Sequence, residues 1–396
     1  MIKIARWPST RFSHREFELV WASMRLTFTL VVLACLSARP FARADSARHD
    51  IRVEMGTEYD SNPDRAEQIA NGAAPTAPSP LARLVASGNW ASAIGQTGGL
   101  ALSGAVAGKR FFDQAARGDD VLVVQTGANG TLRVAGRTIL GVAGSYYDAF
   151  QRGPVDRRDF RSLTPALRIE QGFAKAAQLT LGAGYRWFFF KSDDNFSFAG
   201  PTAALTARQV FPGNLERGEA DWEWSAGASL EWRGFSGLAC TNNTCTPDSS
   251  SPPHHLDRFW VGHVELSRTT TFLLGAGAAL HINQSNSYGE GLLRGVFHLR
   301  AVVPLPWSLS FSSRADLAAT HYWKSLILAQ DQNAGAPLVS IEDENRSTLR
   351  IELARPLAQG FEIGARYVVY SSFPSRGSID YHRQTALLYL AIFDER

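Results

Sequence analysis

From residue 50 onward, apolar and polar side chains alternate along the chain with a period of two. In the segment "AQLTLGAGYRWFFF" (177–190), Leu179, Leu181 and Trp187 share one parity, and Gln178 and Arg186 share the other. Because successive side chains of a β-strand point to opposite faces, this period predicts strands with one apolar and one polar face. The same period recurs in the segments 51–58, 221–233, 309–317, 349–353 and 361–369.

The length of these segments distinguishes between two kinds of all-β protein. The predicted strands have about 11–15 residues, whereas strands of soluble proteins have about 5–6 and a tilted transmembrane strand needs about 9–11. Aromatic residues gather near the predicted strand ends, where membrane barrels carry interfacial girdles. These residues are Tyr146, Tyr147, Trp187, Trp222, Trp260, Tyr322, Trp323 and Tyr370. The pattern predicts a transmembrane antiparallel up-and-down β-barrel with a wet, polar interior.

Long and short polar connections alternate along the chain, as expected when one end of every hairpin faces each side of a membrane. Long connections are predicted near 150–159, 191–196, 236–256, 284–290, 324–345 and 372–380. Short ones are predicted near 135–138, 172–177, 211–219, 268–272, 304–307 and 356–360. This spacing gives 14 strands from Gly98 onward, and strands at 50–58 and 84–94 bring the predicted total to 16. Barrels of 14 or 18 strands are the alternatives.

The N-terminal segment has the composition of a secretory signal. Met24 and Arg25 precede the apolar stretch "LTFTLVVLACLSA", and an Ala42-x-Ala44 cleavage site follows. We therefore predict that residues 1–44 are an N-terminal extension and cleaved signal peptide, with Met24 as an alternative start. Residues 45–396 are predicted to form a single barrel domain. A lipoprotein signal that ends at Cys35 is the alternative.

Removal of this leader changes the charge of the chain. The leader holds seven basic and two acidic residues, which leaves 33 basic and 35 acidic residues from position 45 onward. The basic character of the whole chain thus belongs to the leader, and we predict no nucleic-acid partner. Only five lysines occur, so the cations of the predicted domain are nearly all arginines, whose guanidinium forks to carboxylate or phosphate.

Two cysteines, Cys240 and Cys245, lie beyond the predicted cleavage site. In an exported protein, a pair at this spacing predicts a small disulfide in a loop. A zinc site that adds His254 and His255 to the two cysteines is the alternative.

The first predicted strand ends in a segment that partly imitates a calcium-binding loop. Asp60, Asn62 and Asp64 have the spacing of its first three ligands. However, Arg65 stands where the loop needs glycine and Asn71 where it needs a bidentate glutamate. A strand-ending Asx/Pro turn is therefore predicted, with calcium binding as the alternative. No metal site and no cofactor are predicted.

The polar face predicts which side chains line the lumen. The predicted solute contacts are Arg168, Arg186, Arg294, His298, Arg300, Arg314, Arg350 and Arg366. Five oppositely charged pairs lie two residues apart on this face: Arg52/Glu54, Arg168/Glu170, Glu231/Arg233, Arg314/Asp316 and Arg350/Glu352. These charges either brace the barrel wall or guide an anionic solute. No acidic neighbour is evident in the segment of Arg294, His298 and Arg300, which are predicted to form a positive zone. No histidine is spaced to activate a nucleophile, so an enzyme is not predicted.

Two short motifs carry a resemblance to known families. The final strand "QTALLYLAIF", with Tyr389 and Phe393 at its aromatic positions, resembles the assembly signal of Gram-negative outer-membrane β-barrels, although Asp394, Glu395 and Arg396 follow the last aromatic. The exit "YDSN" (59–62) resembles that of barrels linked to exopolysaccharide export.

These resemblances imply an integral outer-membrane location after cleavage near Ala44, with contacts to membrane lipid and to the barrel-assembly machinery. They further imply a porin-like conduit that exports a polysaccharide together with periplasmic export proteins. A diffusion porin for small solutes and a structural or adhesive barrel are the alternatives.

Overall fold

The computed structural model describes residues 47–63, 68–69, 77–152, 159–174, 176–213, 221–242, 253–324, 346–371, 379–380 and 382–395. Within the compact unit Arg48–Arg396, 16 long antiparallel strands form one closed barrel. The predicted leader lies outside the described residues. The predicted fold class and strand number are confirmed.

The 16 barrel strands are β1 (Arg48–Asp60), β2 (Ser79–Ile94), β3 (Gly98–Phe111), β4 (Val121–Ala135), β5 (Thr138–Gln151), β6 (Phe160–Ala174), β7 (Ala177–Phe190), β8 (Phe198–Phe211), β9 (Asp221–Leu238), β10 (His254–Thr269), β11 (Leu273–Ser285), β12 (Leu292–Leu305), β13 (Leu309–Tyr322), β14 (Ser347–Ala358), β15 (Phe361–Ser371) and β16 (His382–Glu395). Outside the barrel, Gln68–Ile69 pairs with Ile379–Asp380. Short 3-10 turns occupy Arg117–Asp119, Asp194–Phe196 and Pro306–Ser308.

Every strand pairs with its neighbours in sequence, and β1 closes the barrel against β16. At this closure Glu54 lies opposite Ala391, and Asp60 lies opposite Thr385. Because the number of strands is even, β1 begins and β16 ends at the same end of the barrel. A closed barrel leaves no unpaired strand edge, which is what a hydrocarbon environment demands of a β-structure.

The two ends of the barrel differ in their connections. At the end where β1 starts, called here the turn end, Gly95, Gly136 and Gly360 occupy tight turns with φ of 62°, 47° and 79°. Such left-handed backbone conformations favour glycine because a side chain would clash with the backbone. The opposite end is called here the loop end, and most of its connections are longer. The predicted alternation holds in most places, but the connection between Phe211 and Asp221, predicted to be short, is longer than the loop-end connection between Phe190 and Phe198.

The outer face of the barrel is apolar. Leu167, Phe173 and Leu388 are 63%, 65% and 69% exposed, and Val142 lies directly opposite Leu167 on the next strand. Large contiguous apolar surfaces are rare on soluble proteins, but a lipid-facing surface requires them. Within the described part of the chain, no helix is long and apolar enough to cross a membrane.

Candidate functional site

The alternation of side chains places most charged residues of the strands inside the barrel, whereas Arg268 and Arg355 lie on the outer face opposite Trp222 and Ile363. On β1, Arg52 donates to Glu362 of β15 at 2.6 Å, and Glu54 accepts from Arg366 at 2.8 Å. The segment that begins the barrel is thus apolar outside because it meets lipid, and charged inside because it meets the opposite charges of β15. All eight predicted solute contacts lie on lumen-facing positions.

At the middle of the lumen, three arginines lie side by side on neighbouring strands. Arg300 of β12 is opposite Arg314 of β13, which is opposite Arg350 of β14. Like charges at directly opposed positions repel one another, so each needs a carboxylate of its own. The three pairs are Arg300–Glu265 at 2.7 Å, Arg314–Asp316 at 2.8 Å and Arg350–Glu352 at 2.6 Å. Arg300, Arg314 and Arg350 are called the arginine row.

The arginine row shows more of its cations than of its acids to the lumen. The side chain of Arg314 is 65% exposed and that of its partner Asp316 is 20% exposed. The corresponding values are 46% and 32% for Arg300 and Glu265, and 38% and 13% for Arg350 and Glu352. A solute in the lumen therefore meets guanidinium groups whose charge is partly, but not fully, neutralised.

Glycines opposite long polar side chains keep those side chains flat against the wall. A Cβ added at Gly275 would lie 2.6 Å from Nε of Arg300, its opposite residue on β12. The absence of this Cβ lets Arg300 cross β11 and reach Glu265 on β10. The same close approach occurs at Gly141 under Arg168, Gly227 under His263, Gly277 under His298 and Gly364 under Tyr389. These side chains thereby project less into the lumen.

Four of the five pairs predicted from the sequence have their partners as expected. Arg168 reaches Glu170 at 2.8 Å, and Arg233 reaches Glu231 at 2.7 Å. The pairs of Arg314 with Asp316 and of Arg350 with Glu352, described above, are the other two. The predicted pair of Arg52 with Glu54 is wrong, because cross-strand partners on β15 are closer. Arg300 has no acidic neighbour in its own segment, as expected, but Glu265 from two strands away supplies one. Arg294 lies opposite His281 and Thr320.

Where β1 meets its neighbours, the ion pairs are buried. Arg366 lies between two carboxylates, 2.8 Å from Glu54 and 2.6 Å from Glu352, and it is 7% exposed. Nearer the loop end, Glu58 accepts from Arg83 at 2.9 Å and from Lys109 at 2.7 Å. These contacts connect β1 with β2, β3, β14 and β15, so Arg366 is held within the wall.

The "YDSN" exit continues this closure. The backbone N–H of Asn62 donates to Asp60 at 3.1 Å, which is the predicted Asx turn. Asp60 also accepts from Arg383 of β16 at 2.9 Å, and Asn62 donates to the carbonyl of His382 at 3.4 Å. These residues therefore connect β1 with β16. The third ligand of the alternative calcium loop, Asp64, lies outside the described residues.

Aromatic rings line the lumen at the loop end, across strands β5 to β10. Their centroids are 4.8–5.1 Å apart from Tyr147 to Phe235, and His255 stacks on Phe235 at 3.9 Å. The members of this aromatic arc are Tyr147, Phe160, Phe188, Phe198, Phe235 and His255. Tyr147, predicted as an interfacial girdle residue, faces the lumen instead, and His255 had been considered only as a zinc ligand. The four phenylalanines were not predicted, although Phe188 and Phe198 have the parity of lumen-facing residues.

Two arginines lie on the aromatic arc and share one acid. Arg186 lies 5.6 Å and 5.5 Å from the centroids of Phe188 and Phe198, and Arg233 lies 5.2 Å from that of Phe198. Glu231 pairs with both guanidinium groups, at 3.5 Å and 2.7 Å. Guanidinium groups over aromatic faces are attracted by the ring quadrupole, so this pair is fixed at the wall.

Connections pack into the loop end beside the arc. Asp120, at the end of the connection between β3 and β4, is fully buried and accepts from the Phe111 N–H at 2.7 Å. Burial raises the pKa of its carboxyl, although the Arg152 guanidinium, 3.4 Å away, favours the charged form. Leu81 and Ala116 are also completely buried there. The loop end is therefore more tightly filled than the middle of the lumen.

Cys240 is disulfide-bonded. Its predicted partner, Cys245, lies outside the described residues, so the pairing stays a prediction. A disulfide sulfur is not a thiolate, so Cys240 does not serve the alternative zinc site. His255 of that alternative faces the lumen on the aromatic arc.

No family model and no curated protein matches this chain. Among solved structures, it is similar to OccAB1 of Acinetobacter baumannii, with a TM-score of 0.48, 10% identity, and coverage of 91% of this chain and 98% of that chain. It is also similar to OccK8 (OprE) of Pseudomonas aeruginosa, with a TM-score of 0.44, 9% identity and coverage of 89% and 99%. It is similar as well to the outer-membrane expressed OmpT of Vibrio cholerae, with a TM-score of 0.44, 10% identity, and coverage of 90% of this chain and 100% of that chain. Likenesses at this level assign neither a substrate nor a function to this chain.

Proposed function

We propose that this chain is an integral outer-membrane channel through which small anionic solutes diffuse. In this proposal the apolar outer face contacts lipid, the loop end faces outward and the turn end faces the periplasm. The single observation that carries the proposal is the exposure of the arginine row, whose cations face the lumen while their carboxylates are more buried.

A diffusion channel needs sites that attract a solute without holding it. Arginine forks to carboxylate and phosphate oxygens, which gives orientation as well as charge. The partner carboxylate of each arginine weakens the local field, so an anion that binds at the row can also leave. The glycines opposite the long side chains support the same function, because they keep the passage free.

The filling of the loop end favours a small solute over a polymer. Packed connections and the aromatic arc occupy space at that end that a polymer would need. The residues of the "YDSN" motif, which motivated polysaccharide export, have structural contacts at the closure of the barrel. Export of a polysaccharide is the alternative function, and no contact among the described residues favours it.

Ion selectivity in planar bilayers tests this proposal. We expect the wild-type channel to prefer anions, and we expect Arg314→Gln to reduce that preference. Removing a unit charge about 4 Å from a passing anion changes its energy by about 1 kcal/mol in water, which is about a fivefold change in partition. Arg355→Gln is the matched control, because Arg355 lies on the outer face opposite Ile363.

The triple variant Arg300→Gln, Arg314→Gln and Arg350→Gln sharpens the test. It leaves Glu265 and Asp316 without their cations, while Glu352 keeps only Arg366 at 2.6 Å, so we expect selectivity to change toward cations. A wild-type channel without anion preference, or a triple variant with unchanged selectivity, would contradict the proposal.

Liposome swelling separates diffusion from polymer export. Sugars of graded size should enter liposomes that contain the purified chain up to a small-solute cutoff. If small sugars are excluded, and deletion of the protein abolishes surface polysaccharide, the diffusion proposal fails and export is supported.

A further inference from the structure

A cluster of metal-ligating side chains lies at the loop end of the lumen, apart from the arginine row. His255 and Asp257 come from β10, and Glu290 comes from the connection between β11 and β12. One ligand atom of each lies within 4.8 Å of the other two. His255 and Asp257 are 5% and 4% exposed.

The distances within this cluster match those of a coordination shell. Nε2 of His255 is 2.8 Å from Oδ1 of Asp257 and 3.4 Å from Oε2 of Glu290. Zinc–nitrogen and zinc–oxygen bonds of about 2.0–2.2 Å in a tetrahedron place ligand atoms about 3.3 Å apart. Small side-chain rotations therefore suffice to place the three atoms around one ion.

The hydrogen bonding of the cluster is incomplete without an ion or a proton. Three oxygens surround Nε2 of His255, the third being Oγ of Ser285 at 3.2 Å. A ring nitrogen donates one hydrogen bond at most. Two carboxylates beside one imidazole also leave an excess of negative charge in a buried place, which is costly unless a cation compensates it.

Asn283 supplies an independent observation. Its Nδ2 donates to Asp257 at 2.9 Å and to the carbonyl of Glu290 at 3.0 Å, an arrangement that orients both acids. Asn283 is 6% exposed, and its Oδ1 has no hydrogen-bond partner among the described residues. Buried acceptors are nearly always satisfied, so this oxygen indicates a further polar partner, such as a water molecule, next to Asn283.

The surroundings do not oppose a cation. Arg233, which lies opposite Asp257 on β9, turns away and pairs with Glu231 at 2.7 Å. The His255 ring is fixed by its stacking on Phe235, with an angle of 6° between the ring planes. The ligand-bearing groups are therefore held in place before any ion arrives.

We propose that His255, Asp257 and Glu290 bind a divalent transition-metal ion such as Zn²⁺. One imidazole and two carboxylates suit an ion of this class, with water or Ser285 Oγ in the fourth position. The sequence analysis predicted no metal site, because it considered His255 only together with cysteines.

The bound ion stiffens the mouth of the barrel. Glu290 belongs to the same connection as Tyr288, whose N–H donates to the carbonyl of Cys240 at 2.7 Å, and as Ser287, which accepts from the Cys240 N–H at 3.2 Å. An ion on Glu290 and β10 therefore also anchors the end of β9 and the disulfide-bearing connection that follows.

Cobalt spectroscopy on the full chain tests the site. The chain is purified in detergent without a histidine tag, stripped with chelator and titrated with Co²⁺, whose visible absorption reports low-symmetry coordination. We expect saturation at one ion per chain, displacement by Zn²⁺ and a higher thermal unfolding midpoint with Zn²⁺. Absence of saturable Co²⁺ binding at millimolar concentration overturns the proposal and identifies the cluster as an ion pair alone.

Variants assign the ligands. We expect His255→Gln and Glu290→Gln to weaken Co²⁺ binding by more than about 100-fold, and Asn283→Ala by about 10-fold. His263→Gln is the control, because His263 is an exposed lumen-facing histidine on the same strand. If His255→Gln does not fold, the Co²⁺ affinity of Glu290→Gln tests the site instead, because Glu290 lies outside the strands and its substitution should not disturb the barrel. Binding by a folded Glu290→Gln chain at wild-type affinity overturns the site.

Discussion

The buried position of Arg366 allows a quantitative test of how the barrel closes. Arg366→Met removes the cation between Glu54 and Glu352 and leaves both carboxylates in the wall. Breaking a buried ion pair by removal of one partner costs about 3–5 kcal/mol, because the remaining charge is desolvated and uncompensated. Glu352 keeps Arg350 at 2.6 Å and the Tyr389 hydroxyl at 2.8 Å. The loss therefore falls mainly on Glu54.

The matched comparison is Arg314→Met in the same lumen. Arg314 is 65% exposed, so water solvates Asp316 after the cation is removed. Exposed ion pairs contribute about 0–1 kcal/mol, and we expect a loss of that size. Both variants replace an arginine by methionine; the two sites differ in burial and in the number of carboxylates, two at Arg366 and one at Arg314.

Equilibrium unfolding in urea from lipid vesicles, followed by tryptophan fluorescence, measures both losses. If Arg366→Met proves too unstable to refold, Arg366→Lys keeps a charge but cannot fork to both acids, so an intermediate loss is expected. A triple variant, Glu54→Gln, Glu352→Gln and Arg366→Met, should recover part of the stability because neither carboxylate is left buried without Arg366. Equal losses for Arg366→Met and Arg314→Met would refute the reasoning from burial.

Further predictions concern the wall and the loop end. Gly275→Val should displace Arg300 into the passage and lower single-channel conductance, whereas Gly144→Val, at an outward position with free space around it, should not. A conductance loss in both variants would point to general distortion. Because burial raises the pKa of Asp120 above its ordinary value of 3.8, its ionisation opposes folding at neutral pH. Asp120→Asn should therefore stabilise the chain at pH 7 and have no such effect below pH 3.8; urea midpoints at both pH values check this.

Much of the lumen was predictable because parity along a strand is a local property. Arg314 with Asp316, and Arg350 with Glu352, are two residues apart, so one strand decides that they share a face. The contact of Arg300 with Glu265 was not predictable in this way. It depends on the register of three strands and on the absence of a side chain at Gly275.

The aromatic arc and the metal-ligand cluster show the same limit. Phe188, Phe198 and Phe235 come from three strands, and their parity alone does not indicate that their rings stack. His255 and Asp257 are two residues apart and could have been paired from the sequence. Glu290 joins them only because the connection after β11 folds back over the loop end.

The sequence by itself determined the class of fold, favoured 16 strands over 14 or 18 and assigned most charges to the lumen side of the wall, because alternation and connection length are properties of consecutive residues. The tertiary structure decided which cation meets which acid, which pairs are buried and which rings and connections fill the loop end. Those outcomes depend on strand register, on closure of β1 against β16 and on how the connections pack. The difference in burial between Arg366, which is held in the wall, and Arg314, which is open to solutes, exists only once the barrel has closed.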